Sequence, residues 1–164
     1  MELPQSTAKG FSIRPARPGD ELFLLELYTA TRTFELQAVG WGDVQIRHFC
    51  QMQFRAQTWQ HNLTYNGAVD QIVELDGQPI GRLKSLETAT QITLVDIALL
   101  PRHQNQGIGT KLLEQLKAHA NTVMKPIVLH VLVTSPGIHL YERLGFRRIT
   151  DDGSYIEMEY HPGS

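Results

Sequence analysis

Apolar and polar residues alternate along Phe11-Ser12-Ile13-Arg14, the period-two pattern of a half-buried strand. Pro15 and Pro18 end it, and Gly19-Asp20 offers an N-cap for a helix to about Arg32, with Phe23, Leu27 and Ala30 along one stripe. Gly40-Trp41-Gly42 then breaks the chain ahead of a second helix over roughly Val44 to Gln60, where Ile46, Phe49, Cys50 and Phe54 keep helical spacing. From Asp70 the period shortens. Gln71–Leu75 and Gln78–Leu83 flank Asp76-Gly77, a pair that readily takes the φ > 0 angles of a tight hairpin turn. Gln91 to Leu100 is the most apolar strand, and Pro101 stops it. Ile108, Leu112, Leu113 and Leu116 mark an amphipathic helix to about Ala120. Ile127 to Val133 reads as a buried strand, Ser135-Pro136 as the N-cap and first turn of a helix ending at Gly145. Phe146–Thr150 and Ser154–Tyr160 form a last hairpin around Asp151-Asp152-Gly153. The predicted order is β-α-α-β-β-β-α-β-α-β-β, one α/β domain over 11–160 behind a loose, polar terminus over 1–10.

Composition narrows the classes. The 164 residues suit one domain, and 41% hydrophobic, 20% charged residues and a formal charge of −2 describe an ordinary globule. No apolar run approaches the roughly 20 residues of a spanning helix, and the first residues lack the pattern of a signal peptide, so a cytoplasmic location is expected with no membrane partner. A lone cysteine, Cys50, fits a reducing compartment; on a helical stripe it reads as structural. Near-neutral charge removes the electrostatic footprint of nucleic-acid binding. The seven histidines include no His-Glu-x-x-His and stand beside no Cys partner, so no metal is expected. Phe34, Trp41, Phe54, Trp59 and Tyr65 gather in the two-helix region, as core or as the wall of a partly apolar pocket.

The chemistry is written most densely between Val95 and Leu112. A strand leads through a polar turn into a helix opened by Gly107-Ile108-Gly109, which leaves main-chain N–H groups unpaired at a positive dipole end, a geometry suited to phosphate. A Walker loop is excluded by the spacing, and the dinucleotide fingerprint by Leu112 where a third Gly or Ala belongs. Gln104-Asn105-Gln106-Gly107-Ile108-Gly109 resembles the Gln/Arg-x-x-Gly-x-Gly/Ala signature of the GCN5-related N-acetyltransferase (GNAT) superfamily. Further on, Leu140-Tyr141-Glu142-Arg143-Leu144-Gly145-Phe146 resembles that family's Leu-Tyr-x-x-Leu-Gly-Phe. With two helices ahead of the sheet, the likeness extends over roughly residues 11–160.

That resemblance implies a mixed, mostly antiparallel sheet with a central splayed parallel pair, here Gln91–Leu100 and Ile127–Val133. It implies acetyl-CoA as acyl donor in the opening. Its peptide-like arm would meet the backbones of Ile97 and Leu99, and its pyrophosphate the N–H groups of Gln104, Asn105, Gln106, Gly107, Ile108, Gly109 and Thr110, with Ser135 and Tyr141 also in the site. Direct attack of an amine acceptor on the thioester would use the Leu99 N–H against the developing oxyanion and Tyr141 as general acid to the departing sulfur. Tyr141 also fits a core stripe with Ile138 and Leu144. The family's usual base position falls on Thr93, which takes no proton at neutral pH, leaving Glu35 or a water chain ending on a carboxylate. Asp96, opposite in parity to Thr93, Ile97 and Leu99, is expected on the other sheet face, paired with a backbone or basic group. Two more positions depart from the pattern: Gln106 replaces a basic residue, leaving backbone, Arg102 or Lys111 to meet phosphate charge, and Ser135-Pro136-Gly137 replaces Asn-Pro-Ala. The expected activity is N-acetyl transfer to a small molecule or peptide by a monomer or homodimer; the alternative is a GNAT-fold module that binds an acyl-CoA without turnover.

Overall fold

In the computed structural model, which describes Leu3 and residues 10–163, seven strands form one sheet in the order β1-β2-β3-β4-β5-β7-β6. The strands are β1 Phe11–Pro15, β2 Val69–Leu75, β3 Gln78–Glu87, β4 Ile92–Leu99, β5 Ile127–Leu132, β6 Arg147–Asp151 and β7 Tyr155–Tyr160. The helices are α1 Glu21–Ala38, α2 Asp43–Thr64, α3 Ile108–Val123 and α4 Gly137–Arg143. Every neighbouring pair is antiparallel except β4 and β5. The expected element order and mixed sheet are what the structure shows.

The two long helices outrun their predicted ends. Helix α1 continues past Arg32 until Gly40, at φ 91°, lets Trp41 N–H reach Leu36 O (3.1 Å) and Gly40 N–H reach Gln37 O (3.0 Å), a Schellman stop. The expectation of a loose terminus over 1–10 lies outside the described residues except at Leu3 and Gly10. Leu3 is buried, and its N–H and C=O each pair with the side-chain amide of Gln71.

The sheet is covered on both faces. On one, Leu112, Leu113, Leu116 and Ala120 of α3 bury against Val73, Leu83, Ile92, Leu94 and Leu129, together with Ile138 from α4. Each buried Leu is worth about 1.5–3 kcal/mol relative to exposure. On the other, Leu27 of α1 and Ile46, Cys50 and Phe54 of α2 form a smaller apolar layer, with Phe54 against Tyr28 at 5.6 Å between ring centroids. Cys50 is therefore a fully buried packing residue. Of the other aromatics flagged from sequence, Trp41 packs edge-on against Phe49, while Phe34 and Trp59 are exposed.

Strand β4 carries one irregularity with large effect. Its register with β3 slips between Lys84 and Ser85, pairing Lys84 with Asp96 but Ser85 with Leu94, so Val95 is an extra, bulged residue. Side chains then alternate in two blocks: Ile92 and Leu94, then Ile97 and Leu99, share the α3 face, while Thr93, Asp96 and Ala98 share the α1 and α2 face. This corrects the parity expected for Asp96. The bulge places it on the same face as Thr93.

Opposite Leu99 stands Gly81, where a Cβ would lie 2.5 Å from Ala98 O and 2.6 Å from Leu99 Cδ2. Gly81→Ala is expected to cost about 1–3 kcal/mol through overpacking, read as a lower denaturant midpoint with an unchanged m-value.

Candidate active site

Strands β4 and β5 pair at Ile92 with Ile127 and Thr93 with Val128, and at no residue beyond. At this closed end Glu87 accepts from Lys125 Nζ (2.9 Å) and meets His119 Nε2 at 3.0 Å, which ties the end of β3 to α3 and the segment after it. Past Thr93 the strands diverge. Leu100 N–H donates to Ile80 O at 2.8 Å, and antiparallel alternation makes Arg82 with Ala98 a hydrogen-bonded pair. Gly81 with Leu99 and Leu83 with Ile97 are then non-bonded pairs. The main-chain groups of Ile97 and Leu99 consequently point away from β3, toward the opening.

A cleft of about 920 Å³ occupies that opening. Its walls include Ile97 and Leu99 from β4, Gln104, Asn105, Gly107, Gly109 and Thr110 from the loop and start of α3, and Ser135 and Tyr141 around α4. Gln106 and Ile108 are not on its wall: Gln106 Nε2 donates to Arg102 O at 3.1 Å, and the Ile108 side chain is buried in the core. Gln104 Nε2 donates to Leu99 O at 3.0 Å, so this side chain ties the loop to β4 and leaves the Leu99 N–H facing the cleft.

The loop is shaped for an anion by its backbone. Asn105 and Gly107 both have positive φ, at 60° and 83°, and the first helical bond of α3 is Lys111 N–H to Gly107 O at 3.1 Å. Gly107 caps the helix without a side-chain bond, and the N–H groups at positions 108–110 precede that first bond. A Cβ on Gly107 would meet nothing within 4 Å, so the glycine serves the left-handed turn rather than a crowded contact. These groups fit the peptide-like arm and pyrophosphate of a coenzyme A thioester: an edge of unpaired strand backbone followed by the open N-terminus of a 16-residue helix.

Tyr141 stands over the cleft from α4, its ring edge-on to Phe146 at 5.7 Å and close to Gly137, whose absent Cβ would come within 3.5 Å of Tyr141 Cε2. Ser135 Oγ accepts from Gly137 N–H at 3.2 Å and so shapes the turn beneath it. Burial, with a smaller push from the negative charge of Asp96, raises the Tyr141 phenol to about 12.

The α1 side of the cleft holds the groups that sequence parity missed. Asp96 lines it beside Tyr28 and Arg32, whose guanidinium stacks 3.5 Å from the Tyr28 ring centroid. Asp96 Oδ2 lies 3.6 Å from Arg82 Nη1, while Arg82 is held by Asp70 through bonds of 2.8 and 2.7 Å. Desolvation raises the Asp96 carboxyl above its ordinary range, and Arg82 and Arg32 only partly oppose this. Glu35 is exposed on α1 and is not on the cleft wall. Thr93 is buried at the closed end, where its hydroxyl accepts from Gln91 Nε2 at 3.2 Å. The one sequence signal for Asp96 was a carboxylate inside the most apolar strand. Its facing needed the bulge. Among the described residues, no group of three His, Cys, Asp or Glu side chains is arranged to hold a metal, and no helix is long and apolar enough to cross a membrane.

A family model described as an acetyltransferase (GNAT) domain matches residues 66–148, just over half of the chain. Among solved structures, the PaiA N-acetyltransferase of Thermoplasma acidophilum in complex with coenzyme A is similar at 20% identity and a TM-score of 0.71, over 92% of this chain and 98% of that one. The ribosomal-protein-S18-alanine N-acetyltransferase of Escherichia coli is similar at 20% identity and 0.64, over 94% and 95%. A GNAT family acetyltransferase of Elizabethkingia anophelis with acetyl-CoA bound is similar at 18% identity and 0.62, over 94% and 99%. At these identities the structures speak for the fold.

The electrostatic coupling across the cleft is directly measurable. In a tyrosine-labelled protein followed by NMR, the Tyr141 phenol should titrate near pH 12, and Asp96→Asn should lower that midpoint by removing the negative charge that opposes ionisation.

Proposed function

The chain belongs to the GNAT acetyltransferase family, and from that premise we propose that it moves the acetyl group of acetyl-CoA directly to a primary amine of a small molecule or peptide. The observation that carries this is the splayed β4 edge, with Tyr141 on one wall of the opening and Asp96 on another. When bound, acetyl-CoA supplies an activated thioester carbonyl. The chain's own groups do the rest.

The backbones of Ile97 and Leu99 hold the pantetheine arm as a neighbouring strand would, and the N–H groups that open α3 face the pyrophosphate. The Leu99 N–H donates to the carbonyl oxygen as charge develops there, a main-chain donor already aimed because the carbonyl of the same residue is held by Gln104. Asp96 takes the proton of the attacking amine, directly or through one water; its raised pKa makes it the stronger base once ionised. Tyr141 gives its proton to the sulfur as the carbon–sulfur bond breaks and the carbon–nitrogen bond forms. Because its phenol stays protonated far above neutrality, it is in the acid form throughout the working range. Proton exchange with solvent restores both groups. The fully buried, unpaired Cys50 suits the cytoplasmic setting in which acetyl-CoA is made and used.

Thiol release from acetyl-CoA against a panel of amines, amino acids and peptides tests this. Release dependent on particular acceptors is expected; tight coenzyme A binding with no release from any acceptor would establish a binding module instead. With a competent acceptor, Tyr141→Phe should lower kcat about a hundredfold or more with little effect on coenzyme A affinity. Asp96→Asn should lower kcat and remove the acidic limb of the pH profile, which in the native protein rises with pH as the Asp96 carboxyl ionises. An equal loss in Glu35→Gln, with the limb intact in Asp96→Asn, would move the base to Glu35.

A further inference from the structure

Beside the cleft lies a second cavity of about 450 Å³, between the start of α1, the end of α2 and the strands β2 and β3. Leu24 and Arg82 wall both spaces, so the two meet at Arg82, close to Asp96. At its base is Lys84, with 6% of its surface exposed. Its neighbours in charge are already committed. Both carboxylate oxygens of Asp70 are taken by Arg82, and Asp96 leans toward Arg82 as well. No hydrogen-bond or ion-pair partner for the Lys84 ammonium is found among the described residues. At the rim, exposed Arg17 and Glu21 cancel. Asp96, opposite Lys84 in the strand register, and Asp70 attract the ammonium from a distance, and the cavity presents it without a direct partner beside the polar side chains of Thr58, Asn62, Tyr65 and Asn66.

An ammonium on a largely buried side chain gains from a direct counter-charge, and the cavity beside it has room for one. We propose that this cavity is an anion subsite of the acceptor, in which Lys84 binds the carboxylate of an amine substrate whose nitrogen reaches past Arg82 to Asp96. The ammonium offers a direct contact to one carboxylate, whereas the nearby Asp70 and Asp96 charges oppose a phosphate monoester with nearly two negative charges. Burial and the nearby Arg82 charge push the Lys84 amine downward, Asp70 and Asp96 oppose this in part, and a bound carboxylate would oppose it further. The amine end rests on the transferase reading above, whereas the anion end stands on the cavity alone. The acceptor class is then an amino acid, or a peptide presenting a carboxylate at a set distance from its amine.

Two measurements test this separately. The first compares kcat/KM for glycine, β-alanine, 4-aminobutyrate and 6-aminohexanoate with that of each corresponding carboxamide. At one spacing the carboxylate should be preferred by about tenfold or more, with Lys84→Met bringing the ratio toward one and Lys84→Arg restoring part of it. Equal rates within every pair, or a preference untouched by Lys84→Met, would overturn the proposal. The second titrates butyrate, butyramide and inorganic phosphate into the coenzyme A-loaded protein by calorimetry. Binding of butyrate over both others, lost in Lys84→Met, supports the subsite even if no amine releases thiol, an outcome that would refute the transferase reading alone. Butyrate no tighter than butyramide, or phosphate tighter than butyrate, refutes the subsite. That comparison needs the native protein only, so it holds even where Lys84→Met does not fold.

Discussion

A strand in the middle of a sheet ordinarily gives each of its main-chain polar groups to a neighbour, and β4 does not. It is satisfied along one edge by β3 and along the other over two residues by β5, after which the edge faces a cleft. The apolar layers hold the strands apart as firmly as they hold them together, because α3 and α4 pack beneath β4 and β5 while the Glu87, His119 and Lys125 cluster fixes the closed end. The opening is therefore a feature of the packed fold. Asp96, Leu99 and Tyr141 all line the cleft that this edge faces.

The bulge at Val95 decides which groups those are. A regular β4 would have turned Asp96 into the α3 core, where a carboxylate has no partner, and Ile97 out to the α1 face. One extra residue exchanges them. It keeps Ile97 and Leu99 on the apolar side with their backbones aimed into the cleft, and delivers Asp96 to the side where Tyr28, Arg32 and Arg82 stand. A family pattern that seeks a base at Thr93 looks at the closed end of the splay, where the strands still pair and Thr93 is buried off the cleft wall.

These details separate what the sequence made legible from what it did not. Element order and the Gly107 turn were readable from local signals, periodicity and breakers, whereas the parallel pair and the place of Tyr141 came through the family resemblance of two short motifs. The ends of α1 and α2 were not, since Arg32 and Gln60 carry no stop signal of their own and the helices run on to Ala38 and Thr64. The facing of Asp96 depends on a slip against β3, a relation between strands that no spacing within one strand encodes. Arg82 and Lys84 escaped for a similar reason: alternation on β3 puts them on one face, and whether that face is solvent or interior depends on α1 and α2 lying across it.

Charge ties these observations together. The proposed acyl-donor site, in a chain of formal charge −2, would meet the pyrophosphate with helix and loop N–H groups, Gln106 being turned back onto Arg102 O. That economy frees basic side chains for the α1 face. Arg82 is nine-tenths buried but neutralised by Asp70, so it organises the wall without presenting net charge, and it moderates Asp96 without abolishing the upward shift from desolvation. Were Asp96 to pair with Arg82 as closely as Asp70 does, its carboxyl would be held low and would make a poor base; at 3.6 Å through a single nitrogen it does not. Asp70 takes the Nε and Nη2 edge of Arg82 as a fork, which leaves Nη1 toward Asp96 at the longer distance. The upward shift of the carboxylate on β4 comes first from desolvation, and the ion pair on β2 and β3 limits how far Arg82 opposes it.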